Sequence, residues 1–233
     1  MRKHSDFIRS DISWLLEDAV HASQGIQSGI GSFAICDYVF QSLFLRMTGY
    51  QEQKFKCVCW DMATDNYDFR RDYLQDNGKL GEMSSAESKK YVYQHLLKIV
   101  SIHNPSYNPE VDMQKEIFVS KIKNDITHIF AGSLLSTWNL RDYKSFTDVY
   151  DDAFKPEYFA TTNGELLGGR LITVYDMLYN HRNRCAHNLM SYQQNVPTLK
   201  QLAASEFKYE NYYIRFAVLM LIDRVIVELY NKL

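Results

Sequence analysis

Apolar residues recur at three- and four-residue intervals along nearly the whole chain, and nowhere do they alternate convincingly with polar ones over the length of a strand. A period near 3.6 builds one apolar stripe along a helix, whereas a half-buried strand needs a period of 2. Residues 5–24 put Phe7, Ile8, Ile12, Leu15, Leu16 and Ala19 on one stripe, with Ser5 placed as N-cap. GIQSGIGS (25–32) is the first break. A second helix over about 32–48 is apolar on most faces and is expected at the centre. A third, 50–77, turns Phe55, Val58, Cys59, Met62, Phe69 and Tyr73 inward and Asp61, Asp65, Asp68, Asp72 and Asp76 outward, with Asn77–Gly78 as its stop. A fourth opens at Ser84 or Ser85 and ends near His103, before Pro105 and Pro109; a fifth covers about 110–131 and stops at Gly132. The stretch 133–163 reads as irregular, but it is long for a structureless connection, so short helical turns packed over the bundle are expected there. Two strong helices, 164–190 and about 206–232, close the chain around a loop at Pro197. The expected fold class is all-α: a multi-helix bundle, with residues 1–233 forming a single domain.

Composition narrows the function classes. With 26 Lys+Arg against 28 Asp+Glu and a hydrophobic fraction of 46%, the chain is too apolar and too near neutral for disorder. A net charge of −2 supplies no general attraction to nucleic acid, so any such contact must come from a local patch. Four cysteines in a chain of this length make no disulfide framework; they are expected as reduced thiols. The charged opening MRKHSDFIRSDIS has no apolar stretch of the kind a secretory signal needs, and the longest apolar run, Phe216–Ile222, is far short of the ~20 residues that span a bilayer. A soluble, cytoplasmic protein without membrane contact is the expectation.

The informative segment is Leu178-Tyr179-Asn180-His181-Arg182-Asn183-Arg184-Cys185-Ala186-His187-Asn188. The helix leading into it is apolar at 167, 171, 174, 175 and 178, and the next position on that stripe is Arg182. A guanidinium is therefore directed toward the interior or a protected crevice, where it must be paired or must face an anion. Asn183 and His187, four apart, share a neighbouring face. Arg offers bidentate recognition of phosphate, and His exchanges a proton near neutral pH; both suit phosphodiester chemistry.

Arg182, four intervening residues and His187, with Asn183 directly after the Arg, resemble the Arg–x(4–6)–His motif of HEPN domains, helical-bundle domains many of which are metal-independent ribonucleases. The position of the motif, after a strong core helix and before a final one, also resembles that family. The likeness covers about the last 70 residues. It implies a bundle of HEPN type with additional helices, an irregular insertion at about 133–163 and motif-bearing helices at about 164–232. It implies an endoribonuclease that needs no metal or other cofactor, with Arg182, Asn183 and His187 as catalytic residues. His187 would act as base or acid, Arg182 as phosphate clamp, and Asn183 would orient His187 or donate to a phosphate oxygen. In the family two motifs meet across a dimer, so the resemblance further implies a homodimer acting on RNA, in the manner of a toxin or antiphage effector, with an antitoxin or regulatory protein as a possible partner. The alternative it leaves open is a non-catalytic HEPN interaction protein that dimerises or docks a nucleotidyltransferase-type partner.

His181 and Arg184 flank the motif and read two ways, as substrate-binding residues along the RNA backbone or as solvated helix-surface residues. The Asp61/65/68/72 stripe has carboxylate spacing but no Glu-x-x-His companion, so it reads as a solvated face from which one Asp could pair with Arg182. Cys57-x-Cys59 lacks zinc spacing, and His95 and His103 lack a third ligand. Gly164–Gly169 lacks a preceding strand and reads as a loop into a helix, with Gly168 and Gly169 permitting close packing. Tyr179, Tyr192, Tyr209, Tyr212 and Tyr213 read either as stacking platforms for bases or as ordinary core aromatics.

Overall fold

The computed structural model describes residues 4–26, 29, 31–75, 83–187 and 199–233; at 33, 75, 187, 201 and 202 it describes the backbone alone. In chain order the helices are α1 (Ser5–Arg9), α2 (Trp14–Ser23), α3 (Ser32–Asp65), α4 (Tyr67–Gln75), α5 (Ala86–His103), α6 (Pro109–Asp112), α7 (Lys115–Phe130), α8 (Leu134–Trp138), α9 (Leu140–Ala153), α10 (Gly169–His187), α11 (Leu199–Leu202) and α12 (Tyr212–Tyr230), with 3₁₀ turns at Pro156–Tyr158 and Ser205–Tyr209. Among the described residues there is no strand, only an isolated antiparallel bridge between Phe159 and Leu167. The fold is an all-α, multi-helix bundle.

Its innermost element is α12. Tyr213, Ile214, Phe216 to Ile222, Val225, Ile226, Leu229 and Tyr230 are all buried, so the helix is covered on every side. It packs against α3, α5, α7, α9 and α10. The expected centre, residues 32–48, is instead the first half of a long strut, α3, on which α1, α2, α4, α5, α8, α10 and α12 all lean. One side of that half buries Cys36, Phe40, Leu43, Phe44 and Met47, while Ile35 and Tyr38 face solvent.

Several boundaries differ from the periodicity, each for a local reason. The stretch 5–24 is two helices. Ser10 takes an extended conformation (φ −61°, ψ 132°); its hydroxyl donates to the Phe7 carbonyl at 2.6 Å and lies 2.6 Å from the Tyr50 hydroxyl. Asp11 then accepts from the Ser13 N–H at 2.8 Å, so side chains displace the helical ladder at the corner. Helices expected at 32–48 and 50–77 are continuous through Gly49. A glycine there costs ~0.5–1 kcal/mol, which burial of Phe44, Met47, Phe55 and Val58 offsets. The break falls at Asn66 (φ −129°, ψ 111°), whose side chain accepts from the Phe69 N–H at 2.9 Å and so starts α4. The expected stop at Asn77–Gly78 lies outside the described residues. Ser85 is the N-cap of α5, accepting from the Ser88 N–H at 3.2 Å. The fifth helix is divided at Met113–Gln114 into α6 and α7, and Gly132 follows with φ +67°. The stretch 133–163 is mostly helical: Ser133 caps α8, and α9 buries Phe146, Val149, Tyr150 and Ala153.

Polar side chains cross the core where α3 meets α12. Lys54 donates to both carboxylate oxygens of Asp223 at 2.9 and 3.0 Å and also to the Ser10 carbonyl. Gln51 donates to the Leu219 carbonyl at 2.7 Å. Asp61, expected on an outward acidic face, is 3% exposed: it accepts from the Tyr230 hydroxyl at 2.6 Å and lies 2.9 Å from His4 Nδ1. No helix among the described residues is long and apolar enough to cross a membrane.

Candidate functional site

The site is built on the last two turns of α10. Its approach is set by the loop before it. Gly169 has φ +51°, and a Cβ there would sit 2.5 Å from the Tyr158 ring, so only glycine lets this ring close over the helix start. Leu171, Val174, Tyr175 and Leu178 then bury the inward stripe, and Tyr175 donates to the Ser84 carbonyl at 2.6 Å. This anchoring positions Arg182 one turn later.

Arg182 is one-quarter exposed. Its Nη2 donates to Glu52 Oε1 on α3 at 3.1 Å and its Nη1 to Asn183 Oδ1 at 3.1 Å. The inward guanidinium is thus paired, but its partner is Glu52 and not a member of the Asp61/65/68/72 stripe. Beneath it lies a cavity of about 10 Å³, room for about one water, lined by Thr48, Gln51, Glu52, Ser84, Lys89 and Arg182 among others. Lys89, fully enclosed, donates to Gln51 Oε1 at 2.9 Å and lies 4.5 Å from the Phe55 ring. Burial pushes its ammonium down to about 7, with Glu52 and Asp223 opposing and Arg182 reinforcing the shift. The end of the motif helix therefore rests on a hydrogen-bonded polar layer, Arg182–Glu52 above Lys89–Gln51, inside an otherwise apolar bundle.

Asn183 remains at the surface edge, with its carbonyl oxygen turned to Arg182. His187 is the last residue of α10 and follows Asn183 by four positions; its side chain lies outside the described atoms, as do Asn188 and Tyr192. His181 turns to a neighbouring side of α10, toward Phe44 and Tyr212 inside the bundle. Its Nε2 lies 3.2 Å from the Tyr212 hydroxyl and 3.4 Å from Cys185 Sγ, and its ring packs on Phe44. Burial, then Arg215 and Arg184, hold its pKa down to about 3, so the imidazole is neutral at physiological pH. Arg184 is about one-third exposed and lies 3.9 Å from Glu210.

The other residues singled out by sequence take structural places. Tyr209 donates to Asp152 and accepts from Arg170, and Tyr213 is buried against Phe130 and Phe146. His95 packs on Tyr91 and Phe69. All four cysteines are free thiols; burial raises Cys36, Cys57 and Cys185 and pushes Cys59 up to about 12, which keeps them protonated. Among the described residues no three His, Cys, Asp or Glu side chains converge on one point. Sequence reasoning missed Glu52, Lys89, Glu210 and Arg215. For two of these a signal existed: Lys89 lies on the stripe of Val92, Tyr93, Leu96 and Val100, and Arg215 opens the apolar run of α12. Glu52 and Glu210 carry no local signal.

No protein-family model, curated protein or solved structure matches this chain.

Proposed function

We propose that the chain is a metal-independent endoribonuclease of the HEPN type, acting as a homodimer with a composite Arg/His site. What carries the reading is the Arg182–Asn183–His187 set in the C-terminal turns of a core helix in an all-α bundle, with Arg182 braced by Glu52 and Asn183. Bracing restricts the rotamers of a long side chain, so less freedom is lost when it meets an anion.

RNA carries its own nucleophile. His187 removes the 2′-OH proton; that oxygen attacks the adjacent phosphorus, and the bond to the 5′-oxygen breaks. A second imidazole, from the partner's copy of the motif, returns a proton to the leaving oxygen. The products are a 2′,3′-cyclic phosphate and a 5′-OH. Arg182 steadies the charge that gathers on the phosphoryl oxygens, and Asn183 orients the imidazole or donates to phosphate. The biological role that suits such chemistry is a toxin or antiphage effector in the cytoplasm, restrained by an antitoxin or regulatory protein.

One observation favours a second reading. Glu52 already satisfies Arg182, as a purely structural guanidinium requires, and this suits a non-catalytic HEPN interaction protein that dimerises or docks a nucleotidyltransferase-type partner. Incubation of the purified protein with single-stranded RNA and tRNA in EDTA, with analysis of the product ends, separates the two. The nuclease reading expects cyclic-phosphate ends and a loss of at least a hundredfold in rate for Arg182→Ala and His187→Ala. Equal cleavage by His187→Ala, or none by the wild type, defeats it.

A further inference from the structure

Past Glu52, the same side of α3 opens into a groove of about 450 Å³, within the size range of small-molecule sites. Lys56, Cys59, Trp60 and Ala63 line it from α3, following one another at helical spacing. The other wall is α4, which leaves α3 at the Asn66 corner and brings Arg70, Tyr73 and Leu74 to the same space. Cys59 and Ala63 are small, and this leaves room between the aromatic walls. Trp60 is the unusual member. Trp14 and Trp138 pack on the core, whereas Trp60 is 65% exposed and makes no ring contact among the described residues. Tyr73 is held from behind, with its ring centre 5.3 Å from that of Phe69 and 6.1 Å from that of Tyr91. One ring is therefore fixed and the other has a free face. Such a pair suits a flat aromatic guest.

The charges of the groove are cations. Lys56 and Arg70 line it, and among the described residues no carboxylate does. Arg70 lies over the Tyr67 ring, 5.3 Å from its centre. The neighbouring acidic side chains are engaged elsewhere: Glu52 with Arg182, Asp61 with Tyr230 and His4, and Asp68 and Asp72 with Arg71. Asp65 lies off the lining. An apolar peptide or an acyl chain would cover the rings and leave both cations unused. A nucleotide uses both features, its base against the rings and its phosphate on the ammonium and guanidinium.

We propose that Lys56, Trp60, Arg70 and Tyr73 form a subsite for one unpaired nucleotide of an RNA strand, with the base stacked on Trp60 and the adjoining phosphates on Lys56 and Arg70. The groove begins beside the motif site. Glu52, the brace of Arg182, stands one turn before Lys56 on α3, about 5–6 Å away between Cβ atoms, and Trp60 follows one turn later. From Glu52 to Trp60 is ~12 Å at 1.5 Å per residue, which about four stacked nucleotides span at 3.4 Å each. A strand with one phosphate at Arg182 reaches the groove within that length. This adjacency rests on the ribonuclease reading; the nucleotide contacts themselves do not.

The test uses the full-length protein, a fluorescent 2′-O-methyl RNA oligonucleotide that cannot be cleaved, and free AMP and UMP as second probes. Trp60 and Arg70 are exposed, so their substitution leaves the core intact. Anisotropy is expected to show about tenfold weaker oligonucleotide binding for Trp60→Ala and near-native binding for Trp60→Phe, which keeps a stacking face. Lys56→Gln and Arg70→Gln are each expected to reduce the log–log salt slope by about 0.7, one single-strand phosphate contact. Unchanged affinity in Trp60→Ala, or an unchanged slope in both glutamine variants, overturns the subsite even if the wild type cleaves RNA. The expected effects together with no cleavage of unmodified RNA by the wild type uphold the subsite and remove the nuclease reading. AMP or UMP binding that depends on Trp60, while the oligonucleotide does not bind, overturns the strand as the source. Self-association lost in Trp60→Ala, with no nucleotide bound, gives the groove to a second copy of the chain and overturns the proposal.

Discussion

Replacing Lys89 by Met should make the protein more stable near neutral pH and less stable in alkali, with the order reversing in between. The native ammonium titrates at about 7 because it is fully buried with one hydrogen bond, to Gln51, whereas its ordinary value is 10.5. Both the folded and the unfolded chain carry the proton below about pH 7, and the folded state then bears the whole penalty, ~5 kcal/mol at 1.36 kcal/mol per pKa unit. Between about pH 7 and 10.5 only the unfolded chain holds it, so native stability climbs by ~1.4 kcal/mol per pH unit. Above that window the penalty is gone. Methionine has no such titration and fills a similar volume, but it strands Gln51 Oε1, at a cost of ~1–3 kcal/mol. The variant should therefore gain ~2–4 kcal/mol at about pH 6, match the wild type near pH 9, and fall below it beyond. Urea unfolding of both proteins at four pH values measures this difference directly, because every other titration cancels to first order. A stability difference that does not vary with pH would show that Lys89 is not an enclosed ammonium, and would remove the account of the polar layer under Arg182.

Two further substitutions probe the frame that holds the site. Asp223→Ala leaves Lys54 as an unpaired buried cation and should cost ~3–5 kcal/mol in chemical denaturation; an effect under ~1 kcal/mol would mean that water reaches the pair. Gly169→Ala puts a methyl 2.5 Å from the Tyr158 ring at φ +51°, so it should lower the melting temperature by several degrees at ~2 kcal/mol or more, with the loop before α10 losing amide protection first; unchanged protection there would refute the packing argument.

Much of the bundle was legible along the chain because helical burial is a local, periodic property. The stripe of α5, its opening at Ser84 or Ser85, and the run from Leu171 to Leu178 could all be read from spacing, while the capping hydrogen bond singled out Ser85. So could the inward direction of Arg182, four residues after Leu178, although His181, three residues after it, shares that turn and also turns inward, against Phe44 and Tyr212. What spacing misjudged were the helix ends. Gly49 carries a breaker's propensity, yet burial of Phe44 and Phe55 on either side outweighs a glycine's cost. Ser10 and Asn66 carry little breaking propensity alone, but their side chains hydrogen-bond the backbone once a neighbouring helix holds the corner. Asp61 followed the outward pattern of its aspartate neighbours and is buried, because the hydroxyl of Tyr230, 169 residues away, supplies a partner.

The amino-acid order alone settles that this chain makes helices, which faces of them seek burial, and that an Arg–Asn–His set lies in the later turns of one of them, since each of these depends on residues within a turn or two of one another. Which groups meet that set is a tertiary outcome. Glu52 reaches Arg182, Lys89 slides beneath it, and Glu210 comes to stand between Arg184 and Arg215 only after α3, α5, α10 and α12 have packed. Charges so far apart in sequence interact through the low-dielectric interior that packing creates, and no local pattern encodes that neighbourhood.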